Sequence, residues 1–354
     1  MSNLTKIIKI LDPQAGRLQE TILEEKPQAE NLFESRFGSR RTTLMEAATT
    51  DEFPVLLRDG IRAIAYDRYM AQPTTWQRIA DFAQSDKQSE DWVEENQIGE
   101  MPVVPEGTAF PAIKQDLDRT LNIRNYKRGF IFEITEELIR FNRTALVKRQ
   151  SGQYGRSAAN TREQSVYSVL TNTGNYTRNS TNGDNDIGAN TAATTFSPTG
   201  LNTALATLRT MKDRKSGSYL GVMPNQLIIG PRLEMAAKQL LLSPSIMPVG
   251  DPGSAATLYG GGTTNPFRGV VNEIIVSPRL GTSYQWVLQE AKQAVILQEV
   301  EGFQIFQESA GQIQYEGWFM YDVVRYKVRD WFGVGMLNDR FAYYSSSTST
   351  PVID

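Results

Sequence analysis

Cysteine and histidine are both absent from the 354 residues. Without them there is no thiol nucleophile, no disulfide, no zinc finger, no haem held through histidine, and no Ser-His-Asp or Cys-His pair. The commonest general base is gone, which leaves carboxylate, lysine and oxygen-only metal chemistry as routes to catalysis. A basic surplus is missing too: 37 Lys and Arg stand against 40 Asp and Glu, a net charge of −3. A protein whose main task is to grip DNA carries the opposite balance, so any nucleic-acid contact has to be local. No apolar run approaches the roughly 20 residues that cross a bilayer. The opening stretch MSNLTKIIKILDPQAG has no long apolar region and no small-residue cleavage site. A chain made and kept in a cytoplasm is expected, with no cofactor.

What is present is a succession of unlike segments. Residues 1–50 are polar and charge-rich, and read as an arm that packs on something else or is partly disordered alone. From EFPVLLRDGIRAIAYDRYM the pattern turns amphipathic, with Leu57, Ile61, Ile64 and Ala65 at helical spacing. Residues 77–133 carry many charges and Pro102, Pro105 and Pro111, then end in the strand-like LNIRNYKRGFIFEI, so a projecting hairpin is expected there. Thr135 reads as a helix cap with Glu136 and Glu137 in the first turn. The helical pattern runs on to about residue 171, a rod roughly 50 Å long at 1.5 Å per residue, with a break or bend expected near Gly152 and Gly155.

The Asn-, Thr- and Gly-rich residues 172–198 read as a loop, after which Ser197-Pro198 opens a helix with Leu201, Leu205, Leu208 and Met211 on one face. NQLIIG reads as a buried strand and PRLEMAAKQLL as a helix opened by proline. A Pro/Gly-rich loop at 243–269 precedes the strand candidates VVNEIIVSP, YQWVLQEA, AVILQEV and FQIFQES.

Few side chains suggest chemistry. Gly260-Gly261-Gly262 lacks the Lys-Ser/Thr pair of a phosphate loop, and Gly333 and Gly335 sit in a strand, where tight packing or a bulge explains them better. Asp184 and Asp186 fail the calcium-loop spacing. Glu133, Glu136 and Glu137 sit at a strand-to-helix junction, where capping accounts for them. The five tryptophans are scattered rather than set along a basic groove. In YDVVRYKVRDWFGVGM, Val324, Tyr326 and Val328 alternate with Arg325, Lys327 and Arg329, which gives one strand an apolar face and a basic face. Phosphate, water and a neighbouring subunit are all candidates for the basic face.

Taken in order, five segments resemble the major capsid proteins of tailed bacteriophages, the group with the HK97-type fold. TTDEFPVLLRDGIRAIAYDRYMAQPTTW is similar to the family's lead into its extended loop, and RGFIFEITEELIRFNRTAL to the strand entering the spine helix. NQLIIGPRLEMAAKQLL, NPFRGVVNEIIVSPRLG and YKVRDWFGVGMLNDR resemble the axial-domain strand-helix step, a later strand and the closing peripheral strands. The resemblance implies an α+β, HK97-type fold. Its parts would be an N-terminal arm at 1–60, a lead-in helix at 61–77, an extended β-hairpin loop at 78–130, and a peripheral domain with the spine helix at 131–195. An axial α/β domain at 196–300 and return strands at 301–354 would complete it.

The resemblance further implies a non-enzymatic shell protein that forms pentamers and hexamers of an icosahedral head around double-stranded DNA, packaged without sequence specificity. Scaffolding, portal and decoration proteins would be its partners, scaffolding as a separate chain. The virion would be its location after assembly in the host cytoplasm, with no membrane contact. Lys87 and Lys114 lie in the loop and Asn338 near the end, but nothing in their setting identifies a Lys–Asn cross-link. In such a shell the row Arg325, Lys327 and Arg329 meets acidic residues of an adjacent hairpin, with Lys87, Glu90, Asp91, Glu94 and Glu95 as the inter-subunit candidates. A plain solvated face ranks first for the row, that contact second and direct DNA contact last. A cellular nanocompartment shell of the same fold is the nearest rival, and a carboxylate- or lysine-dependent enzyme the rival from another class.

Overall fold

The computed structural model describes residues 52–95, 98–112, 117–135, 144–176, 189–213, 216–246, 263–281, 283–307 and 323–351. In chain order these form helices α1 (Glu52–Ala71) and α2 (Trp76–Ile79), then strands β1 (Asp81–Gln84), β2 (Ser89–Glu95), β3 (Leu117–Arg124) and β4 (Tyr126–Thr135). Helix α3 (Thr144–Leu170), strand β5 (Thr191–Ala192), helix α4 (Pro198–Arg209), strand β6 (Gln226–Ile229) and helix α5 (Glu234–Leu242) follow. The chain closes with β7 (Ser245–Ile246), β8 (Thr263–Thr264), β9 (Glu273–Val276), β10 (Trp286–Gln289), β11 (Val295–Gln307), β12 (Val323–Met336) and β13 (Ala342–Ser345). The expected N-terminal arm up to residue 51, the Asp184/Asp186 pair, Gly260–Gly262 and the capping Glu136 and Glu137 all lie outside the described residues.

Two compact units divide the chain. One comprises Met1–Pro73, Lys127–Thr161 and Gly302–Asp330; the other comprises Thr74–Tyr126, Arg162–Glu301 and Trp331–Asp354. The first unit packs α1 and the start of α3 on β4, the end of β11 and the start of β12. Period-2 alternation places Phe132 and Ile134 of β4, Phe303 and Ile305 of β11, and Val324, Tyr326 and Val328 of β12 on the covered face. Ile61, Ala65, Val147 and Ala158 of the helices meet them. Phe132 stacks between Tyr154 and Tyr326, at centroid separations of 3.9 and 5.1 Å. Beside them the Tyr66 hydroxyl donates to the Phe303 carbonyl, and burial pushes its phenol above the ordinary range, an effect that Arg62 opposes.

Thr135 is the last residue of strand β4, and the residues that would follow such a cap, 136–143, lie outside the described residues; the described helix begins at Thr144, and its 27 residues span about 40 Å. Gly152 and Gly155 do not break it. A Cβ on Gly155 would lie 2.0 Å from the Ala65 carbonyl oxygen, and one on Gly152 3.0 Å from Arg68. Both are contact points where α1 crosses α3 closely, which demands small residues rather than flexible ones.

The second unit is built on a five-stranded sheet in the order β5-β13-β10-β6-β9. Strand β10 runs antiparallel to β13 and β6, while β6–β9 and β13–β5 are parallel. Every residue of β6, β10 and β13 is buried, as expected of strands covered on both faces. On one face lie Leu201, Leu205, Leu208 and Met211 with Leu240 and Leu241; on the other lie Val166, Tyr167 and Leu170 with Trp76 and Ile79. Helix α4 starts where Ser197 Oγ accepts from the Gly200 amide at 3.0 Å, with Pro198 in the first turn, a cap worth about 1 kcal/mol. PRLEMAAKQLL forms a short 3-10 turn and then α5, while AVILQEV and the start of FQIFQES, up to Gln307, share the single strand β11. A second sheet has the order β1-β11-β12-β4, with β1 parallel to β11.

Candidate assembly surfaces

Strands β2 and β3 pair antiparallel from Ser89↔Arg124 to Glu95↔Leu117, with a register shift at Glu94/Glu95. This two-stranded stem is tied down at several points. Trp92 Nε1 donates to Gln298 Oε1 at 2.9 Å, and Gln298 Nε2 donates to the Ile123 carbonyl at 2.8 Å. Asn125 Nδ2 reaches the Lys87 carbonyl at 2.8 Å and Ser85 Oγ at 3.1 Å. Gly333 and Gly335 of β12 let that strand close on the stem, since added Cβ atoms would lie 2.8 Å from the Arg124 carbonyl oxygen and 2.5 Å from Ile123 Cδ1. Tight packing is therefore their role.

The strongest tie is ionic. Arg340 is 1% exposed and pairs with Glu94 and with Asp213, the latter at 3.1 Å and fully buried. Its Nε and backbone amide also donate to Asn338 Oδ1. Two carboxylates and one guanidinium taken out of water hold only while all are paired, so the trio welds the stem to the turn at 213 and the segment before β13. Nothing in the sequence marks Arg340 apart from other arginines; residues so distant along the chain become partners only through the fold.

Beyond the stem, residues 98–112 have no strand or helix. Met101 and Val103 are 94% exposed and Phe110 85%. One turn is defined, with the Thr108 amide and hydroxyl donating to the Pro105 carbonyl at 3.2 and 2.6 Å and Gly107 at φ 79°. Exposed apolar groups gathered on one short segment are the kind of surface that interaction sites carry.

The basic row lies where the alternation places it. Val324, Tyr326 and Val328 are buried, and Arg325, Lys327 and Arg329 occupy the opposite face of β12. Arg325 Nε donates to Glu133 Oε1 at 2.8 Å, Arg329 donates to Gln304 at 3.0 Å, and both Lys327 and Arg329 stand over the Phe306 ring at 5.2 and 4.8 Å. Glu133 is thus a cross-strand partner rather than a capping residue. Next to the row, Lys127, Arg128, Gly129, Phe130 and Ile131 of β4 complete a groove of about 270 Å³ with Lys327, Val328 and Arg329. A Cβ on Gly129 would fall 2.2 Å from the Val328 carbonyl oxygen, so glycine is needed for the two backbones to approach there.

The acidic candidates do not form one free row. Glu94 is buried with Arg340 of its own chain, which removes it from the exposed set. Lys87 Nζ lies 3.7 Å from Glu90, and Asp91 accepts from Asn122 Nδ2 at 2.6 Å. Among the described residues, no group of three or more Asp and Glu is placed to hold a metal ion, and no helix is long and apolar enough to cross a membrane.

The sequence profile of a family described as phage capsid protein matches residues 118–345, well over half of the chain. The chain belongs to that family. It is a structural, shell-forming protein, and the expected kinship with tailed-phage major capsid proteins stands. No curated protein matches at the sequence level. Among solved structures, the capsid of cyanophage P-SCSP1u is similar at a TM-score of 0.54 and 14% identity, over 78% of this chain and 88% of that one. The mature capsid of bacteriophage PhiM1 is similar at 0.50 and 10%, over 79% and 89%. A virus-like particle from Pyrococcus furiosus gives 0.46 and 12%, over 81% and 98%. The shared fold is the HK97-type α+β capsid fold.

Proposed function

We propose that this protein is the major capsid subunit of a phage head, forming pentamers and hexamers that close into an icosahedral shell around double-stranded DNA. The observation that carries this reading is the apolar segment 98–112, held out on a welded stem by a chain of the phage capsid family. Such a segment buries little in its own subunit and gains stability by packing on a neighbour. Contacts of that kind are heterologous and close into rings. Arg325, Lys327 and Arg329, with Lys87, Glu90, Asp91 and Glu95 of the stem, lie at subunit boundaries in this reading. DNA is enclosed without a sequence-reading surface, and with a net charge of −3 the chain as a whole does not attract it, so any phosphate contact is local. Scaffolding, portal and decoration proteins are the further partners, and the virion is the place of action.

The test is electron microscopy of the purified chain, with and without a co-expressed scaffold, followed by analysis of the shell contents. Rings, sheets or shells are expected, and heads from infected cells should hold double-stranded DNA. Small uniform particles that never assemble would refute the reading. Shells enclosing an enzyme in place of DNA would assign the chain to a nanocompartment. Charge reversal at Arg325 and Lys327 should impair assembly; normal shells that merely retain DNA poorly would place the row against the genome.

A further inference from the structure

Strand β4 ends the sheet β1-β11-β12-β4, and among the described residues its outer edge carries no further strand. Such an edge offers a row of backbone N–H and C=O groups to another strand, and proteins usually blunt it with proline, a bulge or short length. β4 has ten residues and no proline, and it leaves Ile131 65% exposed and Phe130 39% exposed. Its sequence is also self-complementary. Lys127 stands three residues before Phe130, and Glu133 three residues after it. Two copies of β4 laid antiparallel, with Phe130 opposite Phe130, therefore set Lys127 against Glu133 on both sides of the centre. Ile131 then lies opposite Gly129, which has no side chain to obstruct it. Arg325 fixes the Glu133 carboxylate, which stays half exposed for the second copy. Opposed residues in this register share a face of the strand, so both copies keep Phe132 and Ile134 on the covered side of one continuous sheet. A slip of one residue would turn the covered side of one copy to water, and a slip of two would lose both ion pairs.

We propose that two copies of the chain pair edge to edge through β4, antiparallel and centred on Phe130, about a two-fold axis normal to the sheet. The partner is a second copy rather than a foreign strand, because the charges of Lys127 and Glu133 match their own order reversed. The contact is isologous and closes on itself after two copies, unlike the heterologous contacts that build a ring. It deepens the shell reading and rests on it for its place, which is the join between one ring and the next.

The absence of native cysteine gives a clean test, since Phe130→Cys puts a single thiol beside its own counterpart. Assembled chains are treated with a short bis-maleimide and run on a denaturing gel. Ile131→Cys, about 8 Å from its counterpart in the same register, is run alongside in case loss of the Phe130 ring weakens folding. Both should give a covalent dimer. In the Phe130→Cys chain, Lys127→Glu should raise the concentration at half-maximal dimer yield about tenfold, and so should Glu133→Lys, because each sets like charges opposite one another on both sides of the centre. An equimolar mixture of these two chains should restore the yield, since every opposed pair in the mixed dimer is again of opposite sign. All these positions are exposed, and unchanged thermal melting of each variant separates the effect from folding. Shells that form from the unaltered chain while neither cysteine gives a dimer, or a mixture that pairs no better than its components, would overturn the pairing and leave the shell reading intact. Dimers that cross-link and respond to charge as expected, from a chain that never forms rings or shells, would uphold the pairing and overturn the shell reading.

Discussion

The stem β2–β3 and the segment 98–112 belong to one excursion of the chain, yet they are built on opposite terms. In the stem, polar and charged groups find partners inside the same polypeptide: Trp92 with Gln298, Asn125 with Lys87 and Ser85, Glu94 with Arg340. In the segment, the apolar groups have no such shelter, and Met101 and Val103 stand almost wholly in water. The difference teaches where folding ends and assembly begins. The stem's interactions are satisfied within the chain, and in the proposed shell the segment's exposed apolar surface is what a neighbour would cover.

The sharpest way to break this contrast is at Arg340. Replacing it by Ala leaves Glu94 and Asp213 buried without their cation and should cost about 3–5 kcal/mol, read by denaturant unfolding, with the stem loosened in hydrogen exchange. An unchanged midpoint would mean that the stem is not anchored there. Gln298→Leu comes next, because it strands the Trp92 indole and the Ile123 carbonyl; a loss of about 1–3 kcal/mol is expected.

Gly333→Ala tests the packing of β12 under the stem. The new methyl would meet the Arg124 carbonyl oxygen at 2.8 Å and Asn125 Oδ1 at 2.7 Å, so about 1–3 kcal/mol should be lost in the same measurement. The smallest effect on stability belongs to the segment. Met101→Ser with Val103→Ser should change subunit unfolding by no more than about 0.5 kcal/mol while reducing shell yield in sedimentation. A clear loss of subunit stability from that pair would show that the segment packs within its own chain.

Much of this architecture is legible in the residues. The alternation of Val324, Tyr326 and Val328 with three cations gives both faces of β12, and Ser197-Pro198 gives the start of α4. Such signals are local: a period of two, or a cap beside its helix, depends on residues that are neighbours in sequence. Less legible were Gly152 and Gly155, which suggest a bend when seen alone and prove to be the places where α1 meets α3. Glu133 likewise reads as part of a capping cluster until Arg325, far along the chain, is placed opposite it.

By itself, then, the sequence determined the class of protein. It excluded thiol, histidine and disulfide chemistry by composition, and its ordered segments carried the resemblance to the capsid family. Only the tertiary structure decided which charges are committed inside the chain and which faces are left for others. Glu94 and Glu90 are the same residue type in the same strand, yet one is sealed against Arg340 while the other lies beside Lys87 near the surface. The reason is physical. A charge is priced by the water and partners around it, and those are set by residues that only the fold brings together.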